Sequence, residues 1–277
     1  MPVNVYELVT NRILAELEKG VIPWRKPWRG SAPINYISRK QYRGVNLLLL
    51  PHGGEYLTFK QCQECGGKIK KGEKSHVINF FKMIEHTDEE TREVKEYPCL
   101  KYSNVFHISQ CEGIVSKLEV VQEVDPVEAA QDIIKSYVSC SGVNFVHVIG
   151  SDRACYSPSL DKIVMPAMSQ FESSGEYYSA VFHEMAHSTG HENRLDRITN
   201  LARFGTGPYS KEELIAEVSS AMLMNIAGIE QSATFENSVA YIAGWSKMLQ
   251  EDKKAIVNAA GQAQKVVDYI LEGQLYG

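Results

Sequence analysis

The chain has 277 residues, 44% apolar and 23% charged, with a formal net charge of −5. That length holds one large or two ordinary globular domains, and the composition excludes a disordered or fibrous chain. The longest apolar run, VNLLLLP, is far too short to span a bilayer, and the start MPVNVYELVTNRILAELEKG lacks an apolar export segment, so a soluble, cytoplasmic protein is expected. The six cysteines are then expected as reduced thiols. Cys62 and Cys65 form a lone C-x-x-C with no second pair to complete a zinc ribbon.

In chain order, an amphipathic helix is predicted over residues 4–19, ended by Gly20. The two prolines of VIPWRKPW forbid a helix there. YLTF reads as a brief strand or a helix lead-in, and KQCQECGGKIKKGEK as a short helix stopped by Gly66-Gly67, then a basic turn. SHVINFFKMIEH and EVKEYPCLKYSNVFHISQC alternate as strands do, joined by the acidic turn TDEET. Near 115–126 the character changes. Asp125-Pro126 fits a helix start, and a helix is expected over 127–139. NFVHVIG and KIVMP read as short strands. A helix follows at SSGEYYSAVFHEMAHSTG, with a Ser173/Glu176 capping box and Gly190 at its stop. Another is expected at SKEELIAEVSSAMLMNIAG, with Ser210/Glu213 as a second capping box and Gly228 closing it. Two more are expected near 236–250 and 252–272. The predicted class is α+β in two domains: a small α+β domain over 1–120 and a mostly helical one over 127–277.

The helix FHEMAHSTG carries the clearest chemistry. Residues four apart share a helix face, so His183 and His187 present two imidazoles to one point. That suits Zn²⁺, which in catalytic sites takes three protein ligands and a water. Glu184, beside the first histidine, is placed to act as general base. A third histidine at position 193 would complete a metzincin pattern, but that residue is Asn193. A carboxylate from the next helix is the alternative. With Glu213 assigned to its capping box, Glu217, set among Ile215, Ala216, Val218, Ala221 and Met222, is the expected third ligand, because a buried carboxylate there needs a cation. His191 and Asp196 are candidates to support the ligands, and Tyr177, Tyr178 and Tyr241 to stabilise an oxyanion. KIVMP is a candidate to pair with an extended peptide, or simply a core strand.

The charge is unevenly divided. Residues 1–118 carry 18 Lys/Arg and 13 Asp/Glu, and residues 19–82 carry 13 against 3. Cations there alternate with aromatics: Trp24, Arg25, Lys26, Trp28, Arg39, Tyr42 and Arg43, then Lys60, Lys71 and Lys74. Single-stranded nucleic acid asks for this pairing, since cations track phosphates and rings stack on bases.

Together, GVIPWRKPW, PINYISRKQYRGVN, YLTFKQCQECGGKIKKGEKSHVINFFK and YSNVFHISQ in the front half, with FHEMAHSTGHENRLDR, YSKEELIAEVSSAML and NSVAYIAGWSKMLQEDKKAIVNAAGQAQKVVDYI behind them, resemble the ArdC-type antirestriction proteins. The resemblance covers nearly the whole chain. It implies a protein of mobile elements that binds single-stranded DNA and shields it from host restriction. It also implies a C-terminal zincin-like (thermolysin-like) metallopeptidase domain, with metal ligands His183, His187 and Glu217 and with Glu184 as base. The C-x-x-C at 62–65 is not an expected family feature. A competent peptidase with an unknown protein or peptide substrate, a DNA-responsive peptidase cleaving a regulator, and a zincin half that is only structural remain distinct possibilities at this point.

Overall fold

The computed structural model describes residues 4–24, 32–87, 94–118, 126–148, 151, 153–198, 207–229 and 235–272. Helix α1 (Val5–Leu17) starts at Asn4, whose side chain accepts the Tyr6 N–H at 3.1 Å. Val5, Val9, Ile13 and Leu17 form its buried stripe. Strand β1 (Pro33–Asn35), helix α2 (Val45–Leu49), strand β2 (Gly54–Leu57) and helix α3 (Phe59–Glu64) follow. A complete capping box between Thr58 and Gln61 starts α3. Strand β3 (Lys68–Ile69) precedes the long strands β4 (His76–Thr87) and β5 (Val94–His107), which pair antiparallel from His76↔Val105 to Thr87↔Val94. The main sheet has the order β1-β2-β5-β4, so β4 is an edge. β6 (Cys111–Glu112) pairs with β3.

The back half opens with α4 (Pro126–Ser141). A three-stranded sheet has the order β7 (Asn144–His147), β9 (Lys162–Met165), β8 (Cys155–Ser157). β9 is the central strand, bonded on both sides, so the KIVMP segment has no edge to offer a peptide; the core-strand alternative holds. Helices α5 (Ser174–Ser188), α6 (Gly207–Ala227), α7 (Phe235–Glu251) and α8 (Ala255–Glu272) complete the fold. The α+β class is as expected.

The front half has apolar clusters of its own, around Leu57 and Cys62 and around Leu50 and Tyr56, and its first two helices also pack against the back half across the expected boundary between 120 and 127. Val9 and Ile13 of α1 and Leu48 of α2 belong to one apolar cluster with Phe182 of α5, Leu214 of α6 and Ile256 of α8. The Thr10 hydroxyl donates to the Lys253 carbonyl at 2.7 Å, tying α1 to the start of α8. Trp24 lies in the same cluster, 3% exposed, its ring edge-on to Trp245 at 6.5 Å. The expectation of an outward stacking ring at Trp24 is thereby corrected: burying an indole against another aromatic outweighs presenting it to solvent.

Arg39, also expected to meet phosphate, has a different task. Its guanidinium pairs with Glu55, a carboxylate on β2 with no solvent exposure. The Ser116 hydroxyl (2.7 Å) and the Lys117 N–H (3.1 Å) donate to the same group. Burial pushes the Glu55 pKa up, but these donors outweigh it and hold the carboxyl below its ordinary range. Stability from a depressed carboxyl is present above its unfolded pKa and is lost as pH falls through its folded value. Arg39→Ala should therefore cost about 2–3 kcal/mol at neutral pH, and the gap to wild type should narrow below about pH 4. Thermal melts at both pH values measure this, and coincident curves at neutral pH would show that the pair is dispensable.

Candidate metal centre

Helix α5 begins as predicted, with the Ser173 hydroxyl accepting the Glu176 N–H at 3.2 Å. Val181, Phe182, Met185 and Ala186 are buried and fix the rotation of the helix. His183 and His187 consequently share a face, their Nε2 atoms 3.0 Å apart. Helix α6 is held across α5 by the Ser220 hydroxyl, which donates to the Ser179 carbonyl at 2.8 Å.

The third group is Glu213. Its Oε2 lies 3.5 Å from His183 Nε2 and its Oε1 3.3 Å from His187 Nε2. Among the described residues, His183, His187 and Glu213 form the one cluster whose ligand atoms all lie within 4.8 Å of one another. The expectation that Glu217 closes the site is corrected: Glu217 sits one turn further along α6, outside this cluster. The reason is the helix start. α6 begins at Gly207, so Ser210 is inside the helix and Glu213 is not consumed by a cap. Glu213 and Glu217 share a face, so periodicity alone could not choose between them.

These separations fit a divalent ion. Tetrahedral zinc with bonds of about 2.0–2.1 Å places its ligand atoms about 3.3 Å apart. The charges fit as well. Burial disfavours a charged His187, yet the Glu212 and Glu213 carboxylates outweigh it and push its pKa up to about 10. Burial likewise opposes ionisation of Glu213, and the two imidazoles nonetheless hold it far below the ordinary carboxylate range. The site is thus built for positive charge.

A surrounding network, missed by sequence reasoning, aims these ligands. Glu212 Oε1 lies 3.4 Å from His187 Nδ1, leaving Nε2 to face the site. Arg197 grips Glu212 at 2.8 and 3.3 Å and also donates to the Ala186 carbonyl and the Thr189 hydroxyl. Arg197 reaches back because the chain doubles over Gly190: a Cβ there would meet Ile198 Cγ1 at 2.7 Å. Arg194, its side chain 2% exposed, donates to the Ser188 carbonyl at 2.7 Å and pairs with Asp161. The available signal was the run of two arginines after H-E-x-x-H-x-x-G and the doubled glutamate at 212–213.

The other expected residues are dispersed. Glu184 is half-buried beside the ligands and acts electrostatically on His187. His191 and Asp196 are absent from the ligand cluster. Tyr177 hydrogen-bonds His147 Nε2 at 2.9 Å, the Tyr178 hydroxyl is buried without a partner, and the Tyr241 side chain lies outside the described residues. In the front half, Tyr42 is half-buried and Arg43 pairs with Asp268. Lys60 is exposed on α3, and Lys71 and Lys74 are exposed between β3 and β4. Arg25, Lys26 and Trp28 lie outside the described residues.

Two histidines one turn apart, closed by a carboxylate from the next helix, define a zincin-like metallopeptidase domain, and residues 132–262 match that family. Residues 3–106 match the N-terminal domain of anti-restriction factor ArdC. The chain belongs to the ArdC antirestriction family. It is 33% identical over 97% of its length to the uncharacterized protein y4eC of Sinorhizobium fredii (strain NBRC 101917 / NGR234), 92% of which it covers. Two proteins described as DNA primase TraC from Escherichia coli are 33% and 36% identical over 96% of the chain, which spans 20% and 27% of their lengths. Among solved structures, the metal-free antirestriction ArdC protein from the R388 plasmid is similar with a TM-score of 0.80, 34% identity and 99% coverage of both chains. Its Mn(II)-bound form gives 0.77, 32% and 98%.

His187→Ala and Glu213→Ala should each abolish stoichiometric metal binding, whereas Glu217→Ala should retain it. Glu212→Gln should weaken affinity by about 10–100-fold, because the imidazole loses its orienting carboxylate. Metal analysis and competition with a chelating dye read all four. Full occupancy in Glu213→Ala would remove that residue from the ligand set.

Proposed function

We propose that this chain is a single-stranded-DNA-binding antirestriction factor whose zincin half is a zinc peptidase, with His183, His187 and Glu213 as ligands and Glu184 as general base. The observation that carries it is the 3.0–3.5 Å convergence of two imidazoles and one carboxylate, with a second carboxylate adjacent in sequence to the first histidine. A divalent ion held by His183, His187 and Glu213 would supply a Lewis acid and lower the pKa of a bound water. Glu184 accepts the water's proton and returns it to the leaving amine, while Glu212 keeps His187 oriented. The Mn(II)-bound relative makes manganese the competing ion.

DNA binding is supported by the basic excess of residues 19–82 and by the exposed rings of Phe80 and Tyr102 on the long hairpin. A role in protecting entering DNA would be exercised in the cytoplasm. No helix among the described residues is long and apolar enough to cross a membrane.

Wild type and Glu184→Gln should be compared as full-length proteins for metal content, affinity for single and double strands, and hydrolysis of fluorogenic casein. The variant should keep its metal and its DNA affinity and lose about 10²–10⁴-fold in hydrolysis. Equal hydrolysis by both proteins would sink the assignment of Glu184. Equal affinity for single and double strands would sink the stacking component.

A further inference from the structure

The front and back halves meet around a cavity of about 580 Å³, walled by the segment after β1, the edge strand β4 and helix α8. That volume lies in the range of small-ligand sites. We propose that this cavity seats one nucleotide of a bound single strand, the base inside and its phosphate at Lys40; the proposal rests on the DNA-binding function given above.

Three features point to a nucleotide. Phe80, on the edge strand, is 45% exposed at the cavity wall, a large ring open to stacking. Asn79 beside it is 7% exposed, and its Nδ2 has no hydrogen-bond partner. Such a donor is satisfied by an acceptor on a base edge. Asn46 fixes the strand at that point, accepting the Asn79 N–H at 2.7 Å and donating to its carbonyl at 2.8 Å. The charged side chains lining the cavity are both cations, Lys40 and Arg43. Arg43 is held by Asp268 of α8, so the exposed Lys40 is the cation left to meet a phosphate.

Gly261 keeps the space open. It lies within α8, and a Cβ added there would meet no atom within 4 Å. Glycine is a poor helix residue, so its occurrence at the cavity wall is matched by the room it leaves.

The test uses full-length protein, fluorescence anisotropy with a labelled oligothymidylate, and a parallel titration with thymidine monophosphate. Gly261→Leu adds a side chain at the cavity wall where a Cβ meets no atom within 4 Å, and leucine is the better helix residue, so it should fold. Phe80→Ala removes the ring. Each should weaken oligonucleotide binding by about 5- to 150-fold, with melting temperature and metal content unchanged. Lys40→Ala should flatten the slope of log affinity against log salt by about 0.7. If wild type binds the oligonucleotide and both cavity variants bind it equally well, the seat is wrong while the single-strand function stands. If the oligonucleotide does not bind, but thymidine monophosphate binds wild type and not Gly261→Leu, the cavity takes a free nucleotide and the single-strand function falls. If neither probe binds wild type, both fall.

Discussion

Three carboxylates crowd two imidazoles at the crossing of α5 and α6, and much of the back half is arranged to tolerate them. Glu213 faces both rings, Glu212 is divided between His187 and Arg197, and Glu184 lies beside them. Such a gathering is unfavourable unless cations balance it. Arg197 balances one carboxylate permanently. A divalent ion balances the remainder, which makes metal affinity and local stability two views of one requirement. The small parts follow from it. Gly190 allows the chain to fold back, the return brings Arg197 to Glu212, and Glu212 turns His187 so that Nε2 points inward.

The same economy runs through the front half, where two of the described arginines are held in ion pairs. Arg39 neutralises buried Glu55, and Arg43 reaches Asp268 on α8. A planar guanidinium suits such fixed pairs, whereas a lysine carries a mobile point charge better suited to a phosphate. Counting basic residues in the sequence therefore overstates the field available to DNA. Among the described residues, Lys40, Lys71 and Lys74 are exposed lysines.

The legible parts of the sequence were those governed by local rules. The α5 cap at Ser173, the shared face of His183 and His187, and the β4–β5 hairpin all follow from periodicity and capping. What failed was set by tertiary context. A Ser-x-x-Glu pattern at 210–213 looks like a helix start, but α6 begins three residues earlier, and the metal-facing carboxylate moves from Glu217 to Glu213. Trp24 lies between basic residues in sequence, yet its partner is Trp245, more than two hundred positions away. Glu212 and Arg197 escaped notice because a supporting contact has no fixed spacing from the group it supports.

The shared core gives these errors a common physical source. α1 and α2 bury their apolar faces against α8, not only against the front sheet, so the front half's residues answer to packing demands from the back. Apolar surface is shared across the boundary drawn from composition. Separating the halves would expose the buried stripe of α1 and open the cavity that Phe80 and Gly261 both line. Helix α8 packs on α2 of the front half and on α6, the helix of Glu213, in the back half.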